Sequence, residues 1–431
     1  MLKLVVIADD LTGSNDAGVQ FAKYGLRVQV LLGTLPEGQK RGETDVLVLD
    51  TDSRASTAEQ AGNKVRAASR TVKKIAGAPP LIFKKIDSTL RGNLGPEIDA
   101  AMDEFGFEWA AVVPAFPANG RITVGGWHLL HQTPIAESEI ARDPKTPVHE
   151  SVLPELLASQ SGHPVGHVYL SEICRGPEAV KEKISSLRAA GIKVISFDAS
   201  TEKHLLTTAQ AIAAADGSAL WVGCAGLAEM IPPVLGWARQ ERQQGDQPAP
   251  GPVLVVAGSV SNVTNKQMQC LLAQDNVRLV SLQADSLLEN EKEELQRCYR
   301  EAAQFLRQGE DVLLASAVDP ESVERAQSAG NARKFDNQTV SGIVADALGK
   351  IVHDLLEVRP AGLFLTGGDT AVAVCRALGV GAIDILAEIS PGIPLGKLSG
   401  GICPGLTVVT KAGAFGNVQA IVNAVDVLKG R

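Results

Sequence analysis

Two adjacent carboxylates, Asp9 and Asp10, stand near the start of the chain in the run Ile7-Ala8-Asp9-Asp10-Leu11-Thr12-Gly13-Ser14-Asn15-Asp16. A second polar group follows at Asp50, Asp52, Ser53 and Arg54. A third fills Lys84-Lys85-Ile86-Asp87-Ser88-Thr89-Leu90-Arg91-Gly92-Asn93. Carboxylates accept hydroxyl protons, arginine grips a carboxylate through its planar fork, and lysine acts as a point charge. A small polyhydroxy acid satisfies both halves of such a cluster. Arg121, in the loop Pro114-Ala115-Phe116-Pro117-Ala118-Asn119-Gly120-Arg121, can add another cation. The plainer alternatives are solvated loop charges and an Asp9 or Asp10 that caps a turn beside Thr12 and Gly13.

Later in the chain the chemistry changes to glycine turns: Gly258-Ser259-Val260-Ser261, Gly367-Gly368-Asp369-Thr370 and Lys411-Ala412-Gly413-Ala414-Phe415-Gly416. Glycine lets backbone amides approach an anion closely, and a helix N-terminus presents unpaired N–H groups with a favourable dipole. None of the three is a Walker A sequence or a complete G-x-G-x-x-G fingerprint. Together they suggest a nucleotide. Asp369 is placed either to attract Mg²⁺ through water or to cap the helix starting near Thr370.

The elements that must position these residues are short. Apolar runs read as strands at Leu4–Ala8, Arg27–Leu32, Val46–Asp50, Leu81–Lys85, Trp109–Val113, His167–Leu170, Val194–Phe197 and Ala219–Gly223. Helical patterns fall at Asp16–Tyr24, Ala58–Ile75, Pro96–Phe105, Pro177–Ala190, Leu205–Ala215 and Leu227–Arg239. The alternation predicts a parallel sheet covered by helices. The three polar groups follow the first, third and fourth strands, on the sheet edge where open α/β proteins bind ligands. A polar, Gln/Pro-rich stretch ends this pattern. The domains expected are 1–240, a linker at 241–252, and 253–431. In the second domain strands are predicted at Pro252–Ala257, Arg278–Leu282, Asp311–Ala317, Gly362–Thr366 and Thr407–Thr410, and helices at Thr264–Ala273, Glu289–Gln308, Asn337–Leu356, Thr370–Leu378 and Gly416–Lys429. The fold class is therefore α/β, with two domains, each a mostly parallel sheet covered by helices.

Composition narrows the function classes. A chain of 431 residues exceeds one ordinary core, and 45% hydrophobic with 21% charged residues is a globular composition. A net charge of −8 and only 4% aromatic residues argue against nucleic acid as a partner. No apolar run reaches the roughly 18 residues that span a bilayer, and the N-terminus lacks signal-peptide character, so a cytoplasmic protein away from membranes is expected. The six cysteines form no C-x-x-C pair, which suggests reduced thiols. The pairs His128/His131 and His163/His167 lack the context of a metal signature.

The motifs IADDLTGSNDAG (7–18), DTDSR (50–54), KKIDSTLRGN (84–93), VVPAFPANGR (112–121), TPIAESEIARDPKTPVHES (133–151), AGSVS (257–261), LTGGDTA (365–371) and VTKAGAFG (409–416) together resemble the four-carbon acid sugar kinase family along the full length of the chain. The resemblance implies an N-terminal domain that binds a four-carbon sugar acid and a C-terminal domain that binds ATP. It implies transfer of the γ-phosphoryl group to the C4 hydroxyl, in a cleft between the domains. D-threonate is the expected substrate. D-erythronate or a 3-oxo-tetronate kinase is the alternative, and a nicotinamide-dependent sugar-acid dehydrogenase or a non-catalytic sensor is the rival from another class. By resemblance Asp10, Arg54 and the run Lys84, Lys85, Ile86 and Asp87 match substrate-binding positions, while Ser259, Gly367, Gly368, Asp369, Thr370 and Gly413 match ATP-binding positions. In the mechanism expected, Asp10 or Asp87 accepts the C4 hydroxyl proton. Arg54, Lys84 or Arg91 holds the C1 carboxylate, Lys411 neutralises developing charge, and Mg²⁺ sits near Asp369. A homodimer is the default assembly.

Overall fold

The computed structural model describes residues 2–33, 43–75, 80–143, 145–239, 250–258, 261–413 and 415–431. The chain divides into two compact units, Met1–Glu241 and Arg242–Arg431.

In the first unit the elements run β1 (Leu4–Ala8), α1 (Leu11–Ala22), β2 (Val28–Leu32), β3 (Val46–Asp50), α2 (Ala58–Ile75), β4 (Leu81–Lys85), α3 (Leu94–Phe105) and β5 (Trp109–Val113). A small antiparallel sheet follows, β6 (Arg121–Val124), β7 (Trp127–Leu130) and β8 (Thr133–Pro134). Then come α4 (Leu153–Gln160), β9 (Val165–Val168), α5 (Leu170–Ile173), α6 (Pro177–Ala189), β10 (Val194–Phe197), α7 (Glu202–Ala214), β11 (Ala219–Gly223) and α8 (Ala225–Val234). The main sheet has the order β2-β3-β1-β4-β11-β5-β10-β9, and every pairing is parallel. Strands β1, β3 and β5 are buried at every residue, as expected of Val/Leu/Ala runs covered on both faces. Ala8 lies in register with Asp50 on one side and Lys85 on the other. The three polar groups therefore leave neighbouring strands at one edge.

The second unit contains β12 (Val253–Ala257), α9 (Asn262–Leu272), β13 (Val277–Ser281), α10 (Ala284–Glu289), α11 (Glu291–Arg307), β14 (Asp311–Ala315), α12 (Pro320–Ala332), α13 (Asn337–Leu355), β15 (Gly362–Thr366), α14 (Gly368–Ala377), β16 (Val380–Ser390), β17 (Ile393–Gly400), β18 (Thr407–Lys411) and α15 (Ala420–Leu428). Its sheet order is β13-β14-β12-β15-β18-β17-β16, parallel from β13 to β18 and antiparallel from there to β16. Val255, Leu313, Phe364 and Val409 from the four central strands meet Ile421 and Val425 of α15 in the core.

Several boundaries differ from the sequence expectation, each for a local reason. Helix α1 begins at Leu11 rather than Asp16, because Asp10 caps it and overrides the turn propensity of Thr12, Gly13, Ser14 and Asn15. The strand expected at His167–Leu170 ends at Val168, because the Leu170 amide donates to Asp198 and opens α5. The helix expected over Glu289–Gln308 divides at Asn290, whose side chain caps α11. The last helix starts at Ala420 rather than Gly416. Two hairpins and helices α4, α5, α10 and α12 have no counterpart in the expected pattern. Residues 240–249, most of the expected linker, lie outside the described residues.

Candidate functional site: an acid–base cluster and a glycine-lined turn cluster

The first site grows from the end of β1. Asp10 has extended backbone (φ −152°, ψ 160°), and its side chain accepts the Gly13 amide at 3.0 Å through Oδ1. Thr12 Oγ1 donates to Oδ2 at 2.6 Å, and Arg54 Nη2 donates to Oδ1 at 2.5 Å. The capping and charge-pairing readings of Asp10 are therefore both true of one carboxylate. Asp9 is turned to the other side of Arg54 and takes it in a bidentate grip, Nε to Oδ2 at 2.8 Å and Nη2 to Oδ1 at 2.9 Å. The Asp9 carbonyl also accepts the Ser53 and Arg54 amides at 2.9 and 3.1 Å. Arg54 is thus anchored by main chain and side chain alike. Burial alone would raise the Asp9 carboxyl, but the charge and hydrogen bonds of Arg54 outweigh it and hold Asp9 below the ordinary range. Burial likewise works against the Arg54 charge, and the surrounding Asp10, Asp9 and Asp87 carboxylates hold it well above its usual value.

The loop after β4 completes the cluster. Asp87 accepts Arg91 Nε at 2.8 Å and Nη2 at 3.3 Å, and takes a further hydrogen bond from Thr89 Oγ1. Arg91 Nη1 reaches Asp143 Oδ2 at 3.1 Å, and Asp87 lies 3.8 Å from Arg54 Nη2. Asp87 is buried, which opposes ionisation, yet Arg91 and Arg54 keep it well below the carboxylate range. Gly92 (φ 97°) lies against Arg54, where a Cβ would stand 3.3 Å from Arg54 Cγ. Asn93 Nδ2 donates to the carbonyls of Ser53 and Ser56 at 3.3 and 2.9 Å, tying the second polar group to the third.

Not every predicted residue faces this cluster. Lys84 is corrected: it is fully buried, its Nζ lies 2.7 Å from Glu97 Oε2 on α3, and it donates to the Ile7 and Lys85 carbonyls. It cannot hold a ligand carboxylate while sealed there. Its role is to knit β1, β4 and α3, with Glu97 also accepting Ser53 Oγ at 2.9 Å. Lys85 points under α1, where a Cβ on Gly13 would meet its Nζ at 2.7 Å, and it donates to the Ile86 carbonyl. Ile86 is nearly fully buried, and its amide donates to Gly223 O at 2.9 Å. Arg121 is buried and donates to Asn119 O at 2.6 Å, and burial lowers its affinity for a proton.

Sequence reasoning gave no specific role to four residues of this site. Asp9 is the bidentate anchor, Asp143 the second partner of Arg91, and Glu97 the counterion of Lys84. The fourth is Asp50, whose carboxyl burial pushes up to about 8, aided by the nearby Asp10, Asp52 and Asp9 charges despite a hydrogen bond from the Asp52 amide. Asp9, Asp50 and Asp143 stood in the motifs quoted. Glu97 carried no signal, since its pairing depends on how α3 docks.

In the second unit the three glycine turns follow β12, β15 and β18, which are adjacent in the order β12-β15-β18. Gly367 (φ 101°) is the N-cap of α14, a conformation that favours glycine, and Gly368 is the first helical residue. Asp369 is therefore not the cap. It lies exposed in the first turn. A Cβ on Gly258 would stand 2.1 Å from Thr370 Oγ1, so the two turns touch where only glycine fits. The Gly413 carbonyl accepts Ser261 Oγ at 2.9 Å, Thr264 Oγ1 at 2.9 Å and Lys411 Nζ at 3.0 Å. Lys411 is fully buried, and its remaining contacts are Ala412 O at 2.9 Å and Thr264 Oγ1 at 3.3 Å. No carboxylate among the described residues pairs with it, and burial pushes its amine down to about 7. A buried amine beside helix N-termini and close-approach glycines fits a phosphate chain. Ser259 lies outside the described residues. Among the described residues no group of three His, Cys, Asp or Glu side chains could hold a metal, and no helix is long and apolar enough to cross a membrane.

An α/β unit with a buried acid–base cluster at its strand ends, followed by a second with glycine turns at its own, marks a sugar-binding and nucleotide-binding class of protein. Residues 4–231 match the sugar-binding N-terminal domain model and residues 254–421 the nucleotide-binding C-terminal domain model. The chain belongs to the four-carbon acid sugar kinase family. It is 37% identical to a D-threonate kinase of Salmonella typhimurium, over 98% of this chain and 97% of that one. It is 34% identical to a D-erythronate kinase of Heliobacterium modesticaldum, over 99% and 97%, and 30% identical to a 3-oxo-tetronate kinase of Pseudomonas fluorescens, over 98% and 96%. A crystal structure of a Salmonella typhimurium LT2 protein superposes with a TM-score of 0.83 at 25% identity, covering 98% of this chain and 99% of that one.

Proposed function

We propose that this chain is an ATP-dependent kinase that phosphorylates the C4 hydroxyl of a four-carbon sugar acid, with D-threonate as the preferred substrate and D-erythronate or a 3-oxo-tetronate as the alternatives. The observation that carries the reading is the Asp9–Arg54–Asp10–Asp87–Arg91 cluster, in a chain whose other unit gathers three glycine turns and a buried amine. Relatives named for all three substrates span nearly the whole chain, which supports the reaction and leaves the stereochemistry to experiment. We assign residues 1–240 to the acid, residues 253–431 to ATP, and the cytoplasm as the compartment that suits six cysteines outside any disulfide among the described residues.

Phosphoryl transfer depends mainly on positioning and charge neutralisation. Asp10 Oδ1 is occupied by Gly13 and Arg54, whereas among the described residues Oδ2 accepts a single hydrogen bond, from Thr12. Oδ2 is then the acceptor for the C4 hydroxyl, and Asp10 takes its proton as the oxygen attacks the γ-phosphorus. Asp87 is too well stabilised as a carboxylate to be the base, and it serves to hold Arg91 and face Arg54. Among the described residues Arg54 Nη1 makes no hydrogen bond, so it is the fork left to hold the C1 carboxylate. Lys411 takes up positive charge beside the phosphates, and the Gly367, Gly368, Thr370 and Gly413 main chain surrounds them, while Ser259 is assigned to ATP by the family resemblance alone. A magnesium ion supplies neutralisation of phosphate charge when bound. One exposed carboxylate, Asp369, fits an ion held otherwise by phosphates and water.

A coupled ADP-release screen over D- and L-threonate, D- and L-erythronate and their 3-oxo forms tests the reading. ADP release dependent on one of these acids is expected, with Asp10→Asn lowering kcat by about 10² or more while ATP affinity holds. Absence of acid-dependent ADP release across the panel overturns it.

A further inference from the structure

We propose that His128 is a positioning residue of the acid site, holding the Asp87–Arg91 loop in place through the Ser88 carbonyl. The loop needs an external brace. It leaves β4 at Ile86 and carries Leu90 at φ 62° and Gly92 at φ 97°. A leucine in the left-handed region is strained and persists only where its surroundings enforce it. The loop bears both Asp87 and Arg91, so its shape sets the ion pair.

His128 is completely buried on β7, and its Nε2 lies 2.9 Å from Ser88 O. A carbonyl can only accept, so Nε2 carries the proton. Nδ1 is then an acceptor, and Thr123 Oγ1 stands 2.9 Å from it. Both ring nitrogens are satisfied by neutral groups, and the imidazole has no slack to rotate. The charged side chains that act on it are Asp87 and Arg121. Burial pushes its pKa down to about 4, so the neutral ring persists through the working range.

The brace stands on a rigid base. Thr123 and His128 are a cross-strand pair in the β6–β7 hairpin. Thr123 exchanges main-chain hydrogen bonds with Ala199, both at 2.9 Å, just beyond β10. The hairpin turn is pinned by Asp198, which accepts the Gly125 and Gly126 amides at 2.7 and 2.9 Å. Asp198 is itself held by His167 Nε2 at 3.0 Å and the Leu170 amide at 2.9 Å. A continuous set of hydrogen bonds thus runs from β9 and β10 through the hairpin to the residue following Asp87.

The test has a structural arm and a kinetic arm, the second resting on the kinase reading above. In the full-length protein, hydrogen–deuterium exchange of the 86–92 segment should accelerate in His128→Leu and return toward wild type in His128→Gln, whose amide can donate to Ser88 O in place of Nε2. The KM for the sugar acid should rise roughly tenfold to hundredfold in His128→Leu, with the KM for ATP unchanged, because small displacements of positioning groups are costly. His128→Gln should recover most of that loss. Should His128→Leu fail to fold, Thr123→Val serves in its place, since it removes the bond that fixes the ring. Wild-type exchange in the 86–92 segment, or equal losses in the Leu and Gln variants, overturns the proposal. If wild-type protein shows no acid-dependent ADP release, the kinase reading fails while the exchange arm still decides the role of His128.

Discussion

Asp50→Asn should stabilise the first unit, and increasingly so as pH rises. Asp50 ends β3 in register with Ala8, almost fully buried, and burial together with the Asp10, Asp52 and Asp9 charges pushes its carboxyl up to about 8. An unfolded aspartate titrates near 3.9. Between those values the folded state keeps a proton that the unfolded state has released. Stability contributed by the protonated group is thus fully present below about pH 4 and is lost as pH rises toward 8. Asparagine mimics the protonated acid and keeps an oxygen for the Asp52 amide at 2.9 Å. The advantage of the variant should be near zero at pH 4, grow by about 1.4 kcal/mol per pH unit, and approach about 5 kcal/mol at pH 8 as an upper bound. The assay is selective, because all four tryptophans (Trp109, Trp127, Trp221 and Trp237) lie in the first unit. Urea unfolding followed by tryptophan fluorescence therefore reports on that unit at each pH. A difference between variant and wild type that stays flat from pH 5 to pH 8 would refute a neutral Asp50.

Two further predictions separate the halves. Gly13→Ala should raise helix propensity by about 1 kcal/mol at an exposed site, but here the new Cβ would stand 2.4 Å from Asp10 Oδ1 and 2.7 Å from Lys85 Nζ. The variant should lose at least about tenfold in kcat/KM for the acid, as a misplaced positioning group does, and wild-type activity would show that Asp10 is not where it acts. Lys411, pushed down to about 7 by burial, is mostly uncharged at pH 8 until phosphate oxygens favour its ammonium form and raise its pKa. ATP binding at pH 8 should therefore take up close to one proton in wild type and none in Lys411→Met, read from calorimetry in two buffers of different ionisation heat. Buffer-independent binding heats in the wild type would remove Lys411 from the phosphate site.

The sheet and its polar edge were legible because they rest on local patterns. Apolar pentapeptides such as Leu4–Ala8 and Val46–Asp50 signal buried parallel strands, and a charge after such a strand has one place to go. Two hairpins carry local turn signals. Ile122-Thr123-Val124-Gly125-Gly126-Trp127-His128-Leu129 brackets a Gly-Gly turn, with both glycines at positive φ, and Ser390-Pro391-Gly392-Ile393 closes β16 on β17. Asp319 followed by Pro320 was likewise a helix start in plain view. Other features were out of reach of pattern. Lys84 and Arg54 are both cations near strand ends, yet the docking of α3 gives Lys84 to Glu97, and Asp9 and Asp10 take Arg54. Only tertiary packing distinguishes them.

On the proposed reading, a site for an acid that is itself rich in carboxylates has a consistent physical logic. Asp9, Asp10, Asp87 and Asp143 surround two guanidiniums, Arg54 and Arg91, so the cluster already carries more negative than positive charge among these residues. Binding a further carboxylate is favourable only if some acceptors are neutral or fully committed to their arginines. Asp50 meets the first condition by staying protonated. Asp9 meets the second by holding both of its oxygens on Arg54. What remains directed outward is one edge of Arg54 and one oxygen of Asp10. That combination asks a ligand for an anionic group and a hydroxyl at a fixed separation. Buried polar groups left unpaired by a ligand lacking either one are costly, so discrimination against deoxy analogues should exceed discrimination between hydrocarbon chain lengths. Hydroxyl pattern, rather than size, is then what this cluster selects.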